Sequence, residues 1–235
     1  GKEGETRLEL VITGEPGPSG VRYRKKALID GVPRRLMDLL GHLRCVFFSP
    51  QDVEIVAGSP EGRRRFLDIA LCQVDLKYCQ ALALYNKIVE RRNRLLKKAQ
   101  EEGFREDEFA FWDENLVKYG SFVTRTRWEA LGFMAPELRE NHLALTEGEE
   151  TLQTLYISSA VGEAITGMSL SSPPPLEEIE KVMAGRLLEA REKDLNQGVT
   201  TIGPHRDDVR FLLNGRDISA YGSRGQQRSA AFSLR

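Results

Sequence analysis

Three cysteines in 235 residues supply neither a disulfide framework nor a thiolate metal site, because they are odd in number and include no Cys-x-x-Cys pair. No apolar run approaches the ~20 residues of a membrane-spanning helix, and the N-terminal residues lack a signal-peptide pattern. The formal net charge of −1 excludes the strongly basic character typical of many nucleic-acid-binding proteins. These absences predict a cytoplasmic globular protein with no membrane partner.

Charged residues, 29% of the chain, are distributed unevenly along it. Residues 21–44 hold seven basic and two acidic side chains, and residues 61–98 hold ten basic and four acidic ones. Residues 137–194, in contrast, hold twelve acidic and five basic side chains. This segregation favours a protein with one surface that faces a polyanion.

The hydrophobic pattern predicts strands, then a block of helices, then strands again. Residues 6–12 and 21–29 read as a hairpin, 35–40 as a short helix and 45–48 as a buried strand. Ser59 and Asp75 are the predicted N-caps of two helices, the first ending near residue 72. The remaining predicted elements are a long helix around 112–138, a strand at 151–158, a helix at 176–196 and a hairpin at 209–218. The fold class is therefore mixed α/β, with a sheet interrupted by a helical insertion.

A first motif, Gly-Ser-Pro-Glu-Gly-Arg-Arg-Arg-Phe-Leu-Asp at 58–68, places three arginines in the first turn of a helix. Cations at a helix N-terminus interact unfavourably with the helix macrodipole, so their position there suggests a functional role. In one interpretation, phosphate or nucleic acid is contacted by Arg63, Arg64 and Arg65. In the other, these arginines are a solvated helix start.

A second motif, Gly-Pro-His-Arg-Asp-Asp at 203–208, contains His205, Arg206, Asp207 and Asp208. Histidine beside two carboxylates suits Mn²⁺ or Zn²⁺, which would permit a metal-dependent phosphoesterase. Adjacent aspartates in a strand point to opposite faces, however, so a loop held by hydrogen bonds of His205 and Asp207 is favoured and no metal site is assigned.

A third motif, Tyr-Gly-Ser-Arg-Gly-Gln-Gln-Arg at 221–228, places Ser223 where a helix begins. The unpaired N–H groups of a helix N-terminus suit a phosphate, and the neighbouring glycines permit close approach. An ordinary serine N-cap explains the same pattern.

Taken together and in this order, the motifs resemble the RecF family of bacterial recombination mediators, relatives of the SMC proteins among the ABC-type ATPases. The stretch 48–68 is similar to the best-known motif of that family, 203–208 to its second motif and 221–228 to its ABC signature. The similarity extends along essentially the whole chain. It implies a partial ABC/SMC-like ATPase head, residues 1–58 and 198–235, with an inserted, mostly helical lobe at 59–197.

The resemblance also implies a function in recombinational repair, replication-fork maintenance and SOS induction. The full-length protein would bind ATP and Mg²⁺, form an ATP-dependent homodimer on double- and single-stranded DNA near gaps, and act with RecR and RecO in loading RecA. Gln51 and Asp52 would lie at the Q-loop between the lobes, although Gln51 departs from the acidic residue usual there. The signature residues, which would meet the γ-phosphate of ATP held by the opposite subunit, would be Ser223, Arg224, Gly225, Gln226 and Gln227.

No Gly-x-x-x-x-Gly-Lys-[Ser/Thr] loop and no Walker B strand occur in the sequence. Without them no nest of N–H groups holds the phosphates, so we expect no bound nucleotide, no catalytic residue and no ATP hydrolysis in this chain alone. The resemblance places the first element before Gly1 and the second after Arg235. A non-catalytic DNA-binding module is the alternative function.

A basic stripe on the predicted helix after Asp75 provides candidate DNA contacts. Its residues follow helical spacing, and Glu90 is the one acid near them: the stripe consists of Lys87, Arg91, Arg94 and Lys98. Together with the arginines at 63–65, the stripe forms a predicted surface that faces phosphate groups. The alternative interpretation of the stripe is a solvated helix face with no ligand.

Overall fold

The computed structural model describes residues 5–17, 20–47, 49–166 and 170–234. It begins with a three-stranded antiparallel sheet made of β1 (Leu8–Gly17), β2 (Gly20–Ile29) and β3 (Val32–Arg34). Asp30 and Gly31 join β2 to β3 with φ angles of 50° and 77°, as a tight two-residue hairpin turn requires. The predicted first hairpin is confirmed, and both strands extend further into the Gly- and Pro-rich stretch than expected.

The segment after this sheet corrects one prediction. Residues 45–47 form no strand, and Val46 and Phe47 are 69% and 72% exposed. Phe48, the last residue of the predicted strand, lies outside the described residues. A buried strand needs a neighbouring strand for its backbone groups, whereas here the Cys45 N–H donates to the Gln73 side chain at 2.8 Å. The predicted short helix is a single 3-10 turn, Leu36–Leu39.

Four helices follow: α1 (Val53–Ala57), α2 (Pro60–Val74), α3 (Leu76–Glu102) and α4 (Glu106–Leu145). Both predicted N-caps are confirmed by hydrogen bonds. The Ser59 hydroxyl accepts from the Gly62 N–H at 3.2 Å, and the Asp75 carboxylate accepts from the Tyr78 N–H at 3.0 Å. The two long helices, α3 and α4, pack against each other.

A second antiparallel sheet has the strand order β5-β4-β6-β7. Its strands are β4 (Leu152–Ser158), β5 (Glu163–Thr166), β6 (Asp208–Leu213) and β7 (Arg216–Asp217). Asn214 and Gly215 form the predicted second hairpin turn with φ angles of 48° and 79°. Because β4 pairs with β6, this sheet joins residues on both sides of the predicted boundary at 197. The three-part domain division itself stays a prediction.

The last helices are α5 (Leu176–Glu189), α6 (Arg191–Gln197), α7 (Ile218–Tyr221) and α8 (Arg224–Ser233). One helix was expected over 176–196, but Ala190 interrupts it. After the break, α6 packs against α3 and brings Asp194 within 2.6 Å of the buried Arg92 guanidinium. The mixed α/β class is confirmed.

The larger apolar cluster lies where α2, α3 and α4 meet the second sheet and α8, and includes Leu71, Val123, Tyr156, Phe211 and Ala230. A smaller cluster around Leu116 and Met183 joins α3, α4 and α5. None of the helices in the described ranges combines the length and the apolar composition that a membrane span requires.

Candidate nucleotide and DNA sites

The turn before α8 places the predicted signature residues at an exposed helix start. Ser223 is the N-cap, and its hydroxyl oxygen accepts from the Gln226 N–H at 3.2 Å. The Ser223 N–H donates to the Gln226 side-chain oxygen at 2.8 Å, and the Gln226 side-chain nitrogen donates to Glu150 at 2.7 Å. Gln227 donates from its side chain to the Ile218 carbonyl at 3.2 Å. This reciprocal capping box fixes the backbone of the turn.

Three donors at this helix start are not used by the capping box. First-turn N–H groups have no intrahelical acceptor, and those of Arg224 and Gly225 find none elsewhere in the described ranges. The hydroxyl proton of Ser223 likewise has no acceptor among those residues. All three residues are exposed. Free N–H groups and the positive end of the helix dipole suit an anion such as phosphate.

The two glycines of the turn have different roles. A Cβ on Gly222 would lie 2.6 Å from the Ile218 carbonyl oxygen, so packing requires glycine there. A Cβ on Gly225 would meet only the Ser223 hydroxyl oxygen, at 3.8 Å. The fold therefore tolerates a side chain at Gly225, beside the three free donors.

The loop 203–208 is held by partly buried hydrogen bonds. His205 Nε2 lies 2.9 Å from the Thr200 carbonyl oxygen, which can only accept, so Nε2 carries the ring proton. Nδ1 then accepts from the Tyr85 hydroxyl at 2.6 Å. Burial lowers the pKa of His205 to about 4, which keeps the ring neutral. Arg206, exposed, donates to the same Thr200 carbonyl at 3.1 Å.

The two aspartates of this loop face different partners. Asp207 accepts from the Tyr156 hydroxyl at 2.5 Å and the Ser159 N–H at 2.7 Å, and burial raises the pKa of Asp207. Asp208 is also desolvated, but its bonds to Arg63 and Arg210 outweigh burial and lower the pKa of Asp208. Within the described ranges, no three His, Cys, Asp or Glu side chains are grouped to hold a metal ion. The hydrogen bonds of His205 and Asp207 are those of the loop that the sequence favoured.

The arginines at 63–65 occupy three environments. Arg63 is 6% exposed and donates to both Asp208 carboxylate oxygens, at 2.7 and 2.9 Å. Its assignment to the phosphate-facing surface was wrong, because its charge is neutralised inside the protein. Arg64 is half-buried and donates to the Asp207 carbonyl at 2.6 Å, and burial lowers the pKa of Arg64. Arg65 is exposed and forms no ion pair with the described residues.

Arg64 and Arg65 line an open cleft of about 490 Å³ between α2, α3 and the 203–208 loop. The carboxylates of Glu61 and Asp68 also line it, but Asp68 is bonded to the buried Arg127 at 2.8 Å. Arg64 has no carboxylate partner among the described residues. The cleft therefore presents the cationic side chains of Arg64 and Arg65 beside the carboxylate of Glu61.

The basic face of α3 is exposed as predicted, but more acids approach it than the spacing indicated. Arg94 pairs with Glu90, and Lys98 lies 3.4 Å from Glu102 and 3.5 Å from Glu108. The expectation that Glu90 is the one opposing acid was wrong, because Glu102 lies one helical turn after Lys98 and the turn between α3 and α4 returns Glu108 to this face. Lys87 and Arg91 are exposed and pair with no acid in the described part of the chain.

No family model matches this sequence. A curated relative from Thermomicrobium roseum, described as DNA replication and repair protein RecF, is 38% identical over 97% of this chain and 58% of its own length. The protein of that description from Herpetosiphon aurantiacus is 37% identical, over 97% of this chain and 57% of its own length. This chain belongs to the RecF family. It spans somewhat more than half the length of these curated RecF relatives.

Solved RecF structures agree with this assignment. The recombination mediator protein RecF-ATPrS in the RecFOR pathway superposes with a TM-score of 0.81 at 32% identity, covering 95% of this chain and 57% of that one. The RecF-ATP structure gives a TM-score of 0.81 at 33% identity, covering 92% of this chain and 55% of that one. The resemblance inferred from the three motifs is confirmed.

The predicted Q-loop residues of this RecF segment lie in a 3-10 turn, Pro50–Asp52. The Asp52 carboxylate accepts from the Ser49 N–H at 2.7 Å, and the Gln51 side chain is exposed. Their role at a lobe junction stays a prediction.

Sequence reasoning missed Arg127, which connects two RecF motifs. Its guanidinium donates to the Pro204 carbonyl at 2.7 Å and pairs with Asp68, the last residue of the first motif. A signal was present, because Arg127 continues the apolar stripe of Leu116, Gly120 and Val123 at helical spacing. A charged residue on a buried stripe must be paired.

Proposed function

We propose that this chain is the signature-bearing and DNA-contacting part of an ATP-binding RecF protein. The function proposed for the whole protein is recombinational repair, replication-fork maintenance and SOS induction. The names of the relatives and the RecF-ATP structure support it. The observation that carries it here is the exposed start of α8, where Ser223, Arg224 and Gly225 offer three unused hydrogen-bond donors.

The signature turn binds the γ-phosphate of ATP held by a second subunit, with Mg²⁺ bound beside that nucleotide. In the ABC-type dimer that the family resemblance implies, the signature helix of one subunit faces the nucleotide of the other, so these donors meet the phosphate only on association. The sequence contains no phosphate loop of its own. This chain alone therefore hydrolyses no ATP and provides no catalytic residue, since positioning and charge neutralisation supply nearly all phosphoryl-transfer catalysis.

DNA binds along α3 and the cleft beside the 203–208 loop. Cations without carboxylate partners among the described residues support this path: the exposed Lys87, Arg91 and Arg65, and the half-buried Arg64. Cations that are already paired release less free energy when they meet a phosphate, so Arg94 and Lys98 contribute less.

The proposed assembly is an ATP-dependent homodimer on DNA near gaps, working in the cytoplasm with RecR and RecO to load RecA. The RecFOR pathway named for one structural relative supports the involvement of RecR and RecO.

The test is ATP-driven dimerisation of the full-length protein carrying Ser223→Arg, measured by sedimentation velocity. Loss of an N-cap alone costs about 1 kcal/mol of stability, whereas loss of a donor at a transferring phosphate costs ~2.7–4 kcal/mol. We expect a folded variant that binds ATP in its own phosphate loop and no longer dimerises. Ser172→Arg, at another exposed serine, is the matched control.

If ATP-driven dimerisation survives Ser223→Arg, the signature assignment is wrong and Ser223 serves only as a helix cap. Salt-sensitive DNA binding that is indifferent to ATP would then favour the non-catalytic DNA-binding module.

A further inference from the structure

A side chain outside the signature motif determines how the signature turn is built. Glu150 lies in the turn between α4 and β4, and its Oε1 accepts from the Gln226 side-chain nitrogen at 2.7 Å. Its Oε2 lies 3.4 Å from Nε2 of the fully buried His142. Glu150 thus lies beside the last turn of α4 and hydrogen-bonds to the start of α8.

The bond from Gln226 to Glu150 fixes the orientation of the Gln226 amide. The two ends of a glutamine amide are nearly identical in shape, so hydrogen bonding decides which end faces which partner. A carboxylate can only accept, so the Gln226 nitrogen must face Glu150. The Gln226 oxygen is then left to accept from the Ser223 N–H at 2.8 Å. Without Glu150 the Ser223 N–H is the one remaining partner of the amide shown by the described residues, so the Gln226 side chain can rotate away and the capping box weakens.

Glu150 is itself held firmly in place. Gly148 has a φ of +85° and donates its N–H to the Leu143 carbonyl at 2.8 Å, which reverses the chain after α4. The Glu150 N–H donates to the Thr146 hydroxyl at 3.3 Å. The carboxylate, with 19% of its side chain exposed, is therefore presented by a hydrogen-bonded turn rather than by a free loop.

The far end of α8 is joined to the same turn of α4. The Ser233 hydroxyl donates to the Ser229 carbonyl at 2.9 Å, so the His142 Nδ1–H must donate to the Ser233 oxygen, 3.0 Å away. His142 and Glu150 together hold both ends of the ten-residue signature helix against α4.

We propose that Glu150 is a positioning residue for the signature turn, acting through the Gln226 amide to hold the free donors of Ser223, Arg224 and Gly225 in the geometry that receives phosphate. This inference rests on the proposed role of the turn in ATP-driven dimerisation. It adds a residue from the α4–β4 turn that no signature motif contains.

The experiment measures the ATP concentration that gives half-maximal dimerisation of the full-length protein by sedimentation velocity. Glu150→Ala should raise that concentration about tenfold or more, the effect of losing a hydrogen bond to a charged group. Glu150→Gln should stay near wild type, because its amide oxygen can still accept from Gln226. Glu149→Ala, at the exposed neighbouring glutamate, is the matched control and should change nothing.

A double-mutant cycle isolates the route of action. Gln226→Ala should weaken dimerisation by itself, and adding Glu150→Ala should then have no further effect. An additional loss in the Gln226→Ala background would show that Glu150 acts elsewhere and would overturn the proposal. ATP binding to the subunit's own phosphate loop, measured with a fluorescent analogue, should remain at wild-type affinity throughout.

The possible failures are distinguishable. If Ser223→Arg abolishes dimerisation and Glu150→Ala does not change it, the Glu150 proposal is wrong while the signature role stands. If neither variant changes dimerisation, the proposed function fails as well. Thermal unfolding is recorded for each variant, and Glu150→Met, which keeps the side-chain length without an acceptor, replaces Glu150→Ala should the latter not fold.

Discussion

Replacing Arg63 with alanine should destabilise the protein far more than replacing Arg65, although both belong to one run of three arginines. Arg63 is 6% exposed, and its guanidinium donates to Asp208 at 2.7 and 2.9 Å and to the Gly58 carbonyl at 2.6 Å. Removing one partner of a buried ion pair costs ~3–5 kcal/mol, because the other charge is left buried without compensation.

The structure places the expected loss for Arg63→Ala at the lower end of that range. Asp208 keeps one cationic partner, Arg210, at 3.0 Å, and that side chain is 47% exposed. We therefore expect the free energy of unfolding to fall by about 3 kcal/mol. Arg65→Ala should change it by less than about 0.5 kcal/mol, since Arg65 is exposed.

Urea denaturation followed by far-UV circular dichroism measures both losses, and DNA titration at several salt concentrations measures binding. Arg65→Ala should weaken DNA binding without a stability change. The double variant Arg63→Met with Asp208→Leu should recover much of the stability lost in Arg63→Ala, because apolar side chains can replace a buried pair. A loss below about 1 kcal/mol for Arg63→Ala would refute the reasoning.

Three further predictions concern pH, DNA and ATP. Burial lowers the pKa of His205 from 6.5 to about 4, so the unfolded chain takes up a proton at a higher pH than the folded protein does. The free energy of unfolding should therefore fall by up to about 3 kcal/mol as the pH is lowered from 6.5 to about 4. The fall should be smaller in His205→Gln. If urea denaturation shows the same dependence of the unfolding free energy on pH for the wild type and for His205→Gln, this prediction is wrong. Lys87→Ala with Arg91→Ala should lower the slope of log K against log salt by about 0.9 per lost phosphate contact, and an unchanged slope would remove α3 from the interface. The double variant Arg94→Ala with Lys98→Ala should lower the slope of log K against log salt by less. This chain alone should show no steady Mg²⁺-dependent phosphate release above its Ser223→Ala variant, and sustained turnover would contradict the assignment.

Local hydrogen bonds explain what the sequence predicts well. Ser59, Asp75 and Ser223 each cap a helix through a bond to a residue three positions later, so a short stretch of sequence contains the whole interaction. Hairpin turns such as Asn214-Gly215 are equally local, since two adjacent residues determine them.

Long-range pairing explains what the sequence could not predict. Arg63 and Asp208 are 145 residues apart, and nothing in the arginine run distinguishes the buried side chain from the exposed Arg65. The apolar stretch 45–48 reads as a buried strand because hydrophobicity alone does not reveal whether a neighbouring strand exists. Glu150 carries no sequence signal, because its partner Gln226 is 76 positions away.

The central claim is that Ser223 acts on ATP held by the other subunit, and mixed dimers test it most directly. One full-length subunit carries Ser223→Arg, and the other carries a substitution of the phosphate-loop lysine that the family resemblance places before Gly1. Neither protein should dimerise alone with ATP. If the signature acts between subunits, mixing them should restore ATP-driven dimerisation, because one composite site then combines an intact loop with an intact signature. If mixing restores nothing while wild-type protein dimerises under the same conditions, the two motifs serve the same subunit, and the account is contradicted.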